Sequence, residues 1–495
     1  MIKTLQRMPK GITALYFIQA FSTFSYAILY SSLSLFITKQ LGLSNTVSNS
    51  IVGLFLAFNY ILHLLGGVMG GRYLSNRTLF SVTTIMQSIG IVCLAYARST
   101  LLYWGLSCFL VGCGLSTTCF NSMVTQRFQP GDNRRESAFF VTYTTMNIGF
   151  FAGYISSGFF DQSNQYQLLF YACAAINLIT VILMAMNWNH LADHDTPLAT
   201  QKPGQQKRVQ YLKGIAMTLL LIPLMILCFH SANISNGLIV VMSLVMFGVI
   251  LIIGQKQKIM ADKQKIRAFL ILAITSIVFW MIYFTGPMGI TLFVKNNVDK
   301  QLFGYELATQ WLFNINALVI IIGAPVMSMI INRLRLKGYN FAVSTQFAWG
   351  FVILALSFFL LSYGVTMADD QGSSSIVWVI LHFVTQAMAE LLIGPVGYAM
   401  IGRIAPAKLQ GVLMGTWMMV SGVAASISQY FSNAMMKAQA TDPLLTNADY
   451  LHVFNQLGVW ALTGGVFLYF ISGKIRNLID DTNTSACAAV NSTAA

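Results

Sequence analysis

Apolar stretches long enough to cross a bilayer recur from near the first residue of this chain to near the last, and they constrain its fold most. A helix needs about 20 apolar residues to span the hydrocarbon core. Along the 495 residues such spans fall at 12–38, 49–70, 79–97, 101–124, 137–160, 166–187, 210–230, 235–255, 268–294, 306–332, 340–364, 375–402, 409–436 and 452–473. Fourteen spans predict an all-α polytopic membrane protein. A β-barrel is excluded, because barrels carry short alternating segments rather than continuous apolar runs. Only 9% of the residues are charged, against about 25% in a soluble domain. Lipid has to solvate most of the surface.

The formal charge of +14 invites a nucleic-acid reading, but the basic residues sit in short loops between spans. With the amino terminus placed in the cytoplasm, 24 of the 29 Lys and Arg residues fall in inside segments. The five outside are Lys39, Arg98, Lys295, Lys300 and Lys437. That asymmetry predicts cytoplasmic termini and explains the charge without a nucleic-acid partner. The seven cysteines lack metal or disulfide spacing and read as small core residues. Residues 1–10, with Lys3, Arg7 and Lys10, resemble the basic region of a signal peptide. The apolar run after them is too long for one and reads as a retained first helix.

The spans divide into six, two and six. The expected organisation is a six-helix bundle over 1–190, a linker carrying two additional spans over 191–267, a second six-helix bundle over 268–475, and a cytoplasmic tail over 476–495. The tail is small and polar and reads as disordered from Asp480. A weak internal repeat links the halves. Gly67-Val-Met-Gly-Gly71-Arg72 follows the second span, and Gly323-Ala-Pro325-Val-Met ends the second span of the later half. Parallel six-helix repeats are the mark of the major facilitator fold.

A charge at the bilayer centre costs at least about 2.5–3.5 kcal/mol, so each one needs a reason. Among the 15 Asp and Glu residues, Glu390 is the one placed mid-span. It either stays protonated and bonded to a neighbouring helix, or faces a cavity and binds a cationic group or a proton. Pro395, five residues on, removes one backbone bond near it. His63 and His382 are the other titratable side chains noted within spans, and each reads first as a hydrogen-bonded packing residue. Asn147 and Asn316 are mid-span amides, one per half, suited to holding helices together or to bonding a peptide-like solute. Tyr26, Tyr60, Tyr143, Trp280, Trp311 and Trp417 are individually uninformative.

Ala389-Glu390-Leu-Leu-Ile-Gly-Pro-Val-Gly397 and Ala405-Pro-Ala-Lys-Leu-Gln-Gly411-Val-Leu-Met-Gly-Thr-Trp417 closely resemble the tenth and eleventh helices of proton-dependent oligopeptide transporters. Phe140-Val-Thr-Tyr143-Thr-Thr-Met-Asn147-Ile-Gly149 is similar to that family's fifth-helix FYxxINxG signature, and Tyr60 matches a binding-site tyrosine on the second helix. Trp311-Leu-Phe-Asn-Ile-Asn316 looks like the eighth-helix region, with Ala317 where the family has proline. The resemblance implies a major facilitator fold, with the two extra helices typical of bacterial members. It also implies the bacterial inner membrane and a site clasping a di- or tripeptide between the halves. Glu390 would hold the peptide's amino terminus and carry a proton, with Asn316 and Asn147 on the amine and carbonyls. Tyr26, Tyr60, Tyr143 and Trp417 would line the cavity.

The departures shape the functional expectation. The family's first-helix ExxERFxYY aligns with Gln19-Ala-Phe-Ser22-Thr23-Phe24-Ser25-Tyr26-Ala27, so both acids, the arginine and the second tyrosine are absent. The fourth-helix lysine aligns with Thr117, and the A-D-R after the second helix reads Gly70-Gly71-Arg72. The expected function is import of di- and tripeptides, or related amine-bearing solutes, by a proton-coupled secondary transporter. The alternatives are a proton-independent facilitator or antiporter of small amines, and a non-transporting receptor. Nothing resembles a metal cluster, nucleophile–base pair or carboxylate dyad, so neither an enzyme nor a cofactor is expected. The expected partners are substrate, protons and lipid, and the expected state is a monomer.

Overall fold

The computed structural model describes residues 8–96, 98–129, 132, 134–194, 196–201, 204–337, 342–404, 410–438 and 440–492. Residues 1–7, Asp195 and Pro203 of the expected linker, and 405–409 of the family-like stretch lie outside the described residues. Fourteen long helices are present among the described residues, in register with the fourteen expected spans. Twelve are long and apolar enough to cross a membrane by length and composition alone. The remaining two are Arg134–Gln162 and Gln410–Ala434. The chain divides into two compact units, Met1–Ser235 with Leu307–Ala317 and Asn236–Glu306 with Leu318–Ala495.

The first unit contains α1 (Ile12–Leu35), α2 (Asn45–Met69), α3 (Asn76–Ala95), α4 (Ser99–Thr125), α5 (Arg134–Gln162), α6 (Tyr166–Met186) and α7 (Gln205–His230). The last turn of α1 widens into a π-helix over Phe36–Gln40. Ser44 and Ser75 cap α2 and α3, each accepting from the amide three residues on at 3.3 Å. In lipid, helices gain nothing by hiding apolar faces from one another, so small residues and buried hydroxyls hold them together. A Cβ on Gly90 of α3 would sit 2.5 Å from Gly105 O of α4, a helix approach that admits nothing larger than glycine. Ser25 donates to Asn177 Oδ1 at 2.6 Å, joining α1 to α6, and Ser31 donates to Ser157 at 3.1 Å, joining α1 to α5. At the end of α1, Lys39 Nζ lies 2.9 and 2.8 Å from the two oxygens of Asp161, which also accepts from the Tyr166 hydroxyl.

The second unit holds most of α8 (Ala232–Gln255), then α9 (Met260–Tyr283), a π turn over Gly286–Ile290, and α10 (Thr291–Asn297). Pro287 lacks an amide to continue an α-helix; the ladder widens, with Ile290 N donating to Thr285 O at 3.0 Å and Thr291 Oγ1 to Gly286 O at 2.8 Å. After it come α11 (Phe313–Leu336, in this unit from Leu318), α12 (Val343–Thr366), α13 (Ile376–Ile404), α14 (Gln410–Ala434) and α15 (Pro443–Ser492).

Two short strand pairs finish the end of this unit. β1 (Val298–Asp299) runs parallel to β4 (Ser374–Ser375), and β2 (Gln301–Leu302) pairs antiparallel with β3 (Tyr305–Glu306). Asn297 Nδ2 donates to Thr446 Oγ1 at 2.7 Å and to Asn447 Oδ1 at 2.9 Å, tying α10 to α15. The two additional helices are the most lipid-like, with Leu220 and Leu227 of α7 and Leu244 and Val245 of α8 exposed. The tail departs from expectation. The backbone of α15 stays helical through Ser492, where Ala-Cys-Ala-Ala-Val supplies strong helix formers among its residues.

Candidate functional site

The expected site residues fall into two groups, one in each compact unit. In the first, Tyr26 of α1 stacks on Phe55 of α2 at 6.2 Å between ring centroids, and meets Tyr30 and Phe150 each at 6.1 Å. The cluster continues through Tyr154 of α5 to Phe313, whose ring lies 5.7 Å from Tyr30 and 5.6 Å from Tyr154. Phe313 belongs to the segment Leu307–Ala317, and that segment brings Asn316, half-buried, into the first unit. Trp311 fixes the segment on α5, donating its indole N–H to Ile155 O at 3.0 Å.

Asn147 is 5% exposed, and its amide donates to Tyr143 O at 2.9 Å, one turn back on α5. Two residues on, a Cβ at Gly149 would stand 2.3 Å from Ala20 O, so glycine lets α5 lie directly on α1 beside Asn147. The Tyr143 side chain is 41% exposed. Tyr60 is half-buried beside His63 at 5.8 Å, and the His63 Nδ1 meets Asn59 O of its own helix. Where the sequence comparison aligns a glutamate and an arginine of the first helix, Gln19 Nε2 donates to Thr23 Oγ1 at 3.3 Å. A neutral i,i+4 hydrogen bond joins these two positions. Thr117 turns its hydroxyl onto Cys113 O of α4 at 3.3 Å.

In the second unit, Glu390 of α13 is half-buried, and the Tyr283 hydroxyl of α9 donates to its Oε2 at 2.8 Å. The Trp280 ring meets Tyr283 at 5.3 Å, and its indole nitrogen is buried with no hydrogen-bond partner among the described residues. One turn on, a Cβ at Gly394 would lie 3.8 Å from Glu390 Cγ and 3.9 Å from the Trp280 ring, so glycine leaves contact distance free between them. Trp417 is 1% exposed, between Phe269 at 6.5 Å and Phe347 at 6.4 Å, with its ring against Gly397 of α13. Its contacts are those of a core residue. The α13 backbone remains helical from Glu390 to Ile404.

Sequence reasoning missed Tyr283, Tyr30, Tyr154 and Phe313. A signal existed for two of them: Tyr30 lies one helical turn from Tyr26, and Tyr154 two turns from Asn147, on the faces already singled out.

The POT family (PTR2) model matches residues 76–451. The chain belongs to the POT family. Among curated relatives, the dipeptide and tripeptide permease A of Citrobacter koseri is 26% identical over 495 residues, covering 99% of this chain and 97% of the permease. The permease of the same name from Escherichia coli K12 is 25% identical over 491 residues, covering 98% and 96%. Among solved structures, a peptide transporter POT in complex with sulfate superposes with a TM-score of 0.83 at 20% identity, over 95% of this chain and 96% of that one. A POT family transporter in complex with 5-aminolevulinic acid gives 0.81 at 20% identity, over 94% and 97%. This POT family chain thus shares the fold of those transporters along nearly its whole length. It is an integral membrane protein of transporter type.

Proposed function

We propose that this chain imports di- and tripeptides or closely related amine-bearing solutes by proton-coupled alternating access. The carrying observation is Glu390, a mid-span carboxylate fixed by the Tyr283 hydroxyl at 2.8 Å beside Trp280. A partly desolvated carboxylate is matched to an ammonium group by charge and hydrogen bonding, and it also takes up a proton. Glu390 therefore holds the substrate amine and serves as the proton-coupling group. Asn316 and Asn147 bond the peptide backbone, and Tyr26, Tyr60 and Tyr143 line the path. Trp417 positions α13 through Gly397. The permease names of the relatives and the amine-bearing ligand of the 5-aminolevulinic acid complex support this substrate class.

The bundles that alternate are residues 1–190 and 268–475, joined by 191–267, with 476–495 as a cytoplasmic tail. The protein acts as a monomer in the bacterial inner membrane, both termini cytoplasmic. Uptake of labelled dialanine into liposomes, with and without an inward proton gradient and beside Glu390→Gln, tests the reading. Uptake that rises with the gradient and disappears in the variant is expected. Gradient-indifferent uptake would instead mark a facilitator, the second reading favoured by the neutral Gln19–Thr23 pair.

A further inference from the structure

On α13, His382, Gln386 and Glu390 stand at i, i+4 and i+8, one below another along the helix. His382 is fully buried, with Nδ1 3.1 Å from Ser357 O of α12. A carbonyl oxygen can only accept, so Nδ1 carries the proton and Nε2 is the accepting nitrogen of the ring. Nε2 has no hydrogen-bond partner among the described residues. Gln386 is 3% exposed, and its Nε2, a donor, has none either. A water molecule held between two complementary buried groups one turn apart would satisfy both. The rings of Phe358 and Phe383, each 5.2 Å from the imidazole, fix its orientation.

The remaining surroundings are electrostatically quiet. α12 brings one titratable group, Tyr363, which is exposed. The charges of α9 (Asp262, Lys263, Lys265 and Arg267) are confined to its first two turns, and its Tyr283 is bonded to Glu390. α14 carries Tyr430, exposed, and α11 carries Arg333 and Arg335 near its end. Among the described residues of these helices, the fixed charges lie near helix ends rather than along the imidazole's own stretch of α13.

We propose that His382 and Gln386 form a proton-access path that delivers the coupling proton to Glu390 along α13. The inference rests on the proton-coupled reading given above. His382 takes a proton on Nε2 from the end of α13 nearer Ile376. It passes that proton through water oriented by the Gln386 amide to the Glu390 carboxylate. The imidazolium returns to neutral imidazole and the carboxylate becomes the acid, so charge and protons balance, and Gln386 does not itself titrate. A purely structural histidine would account for the bond to Ser357 O. It would leave the acceptor at Nε2 and the donor at Gln386 without a purpose.

The test is His382→Asn, whose amide keeps the Nδ1-like donor to Ser357 O while removing Nε2, together with Gln386→Met. Both are reconstituted in liposomes and measured by gradient-driven dialanine uptake over external pH and by dialanine counterflow without a gradient. Loss of gradient-driven uptake and of its pH dependence, with counterflow as in the wild type, is the expected result. Wild-type gradient dependence in both variants overturns the path while leaving proton-coupled import intact. Equal loss of uptake and counterflow in both also overturns it, since the pair would then be structural. A wild-type protein indifferent to the gradient overturns the coupled reading itself and the path with it.

Discussion

The Tyr283 hydroxyl of α9 donates to Glu390 Oε2 of α13 at 2.8 Å, joining two helices of one compact unit at the mid-span carboxylate. A hydrogen bond to a charged acceptor contributes about 1.5–3 kcal/mol. Tyr283→Phe is therefore expected to lower dialanine uptake at subsaturating substrate by roughly tenfold or more, each 1.4 kcal/mol being tenfold. Glu390→Gln is expected to abolish it. Initial rates in liposomes, with detergent thermal melts to verify folding, check both.

The Gln19–Thr23 pair offers a peptide's carboxyl end no positive charge on the first helix. Dialanine amide is therefore expected to compete for uptake at least as well as dialanine. Inhibition curves against a labelled dipeptide decide the matter, and a clear preference for the free acid would refute it.

The Lys39–Asp161 pair is a buried carboxylate, 6% exposed, facing an ammonium that is 30% exposed. Removing one partner of a buried pair costs about 3–5 kcal/mol, and partial exposure of Lys39 puts Asp161→Leu at or below the lower end of that range. The double variant with Lys39→Met is expected to recover much of the loss. Thermal unfolding of the four proteins gives the cycle.

Gly149 allows α5 to lie on α1, since a Cβ there would meet Ala20 O at 2.3 Å. Gly149→Val forces the helices apart and is expected to cost about 1–3 kcal/mol or more. Folded yield and melting temperature in detergent measure it.

At the start of α5, Arg134 lies beside Asp132, and its hydrogen bonds and backbone amide hold the Asp132 carboxyl below the usual range. Because the folded-state value is depressed, the stabilisation is present above the ordinary carboxylate range and is lost as pH falls through the lowered value. The melting-temperature difference between wild type and Arg134→Gln is thus expected at neutral pH and absent in strong acid.

Much of this was legible in the sequence because it depends on local quantities. Crossing a bilayer requires a run of apolar residues, and a carboxylate inside such a run is conspicuous because of its desolvation cost. Fourteen spans, the exceptional position of Glu390 and the neutral first helix follow from reading residues in order. Facing was a different matter. A membrane helix is apolar both toward lipid and toward its neighbours, so its periodicity does not tell which side meets which helix. For that reason Tyr283 could not be matched to Glu390, nor Phe313 to Tyr30 and Tyr154, before the helices were packed. Trp417 is singled out by resemblance alone, and only the packing places Gly397, Phe269 and Phe347 around it. The sequence by itself determined what this chain must cross and where its charge must be explained. Only the tertiary structure decided which rotation of each helix gives that charge its partner, because that choice depends on contacts between residues far apart in the chain.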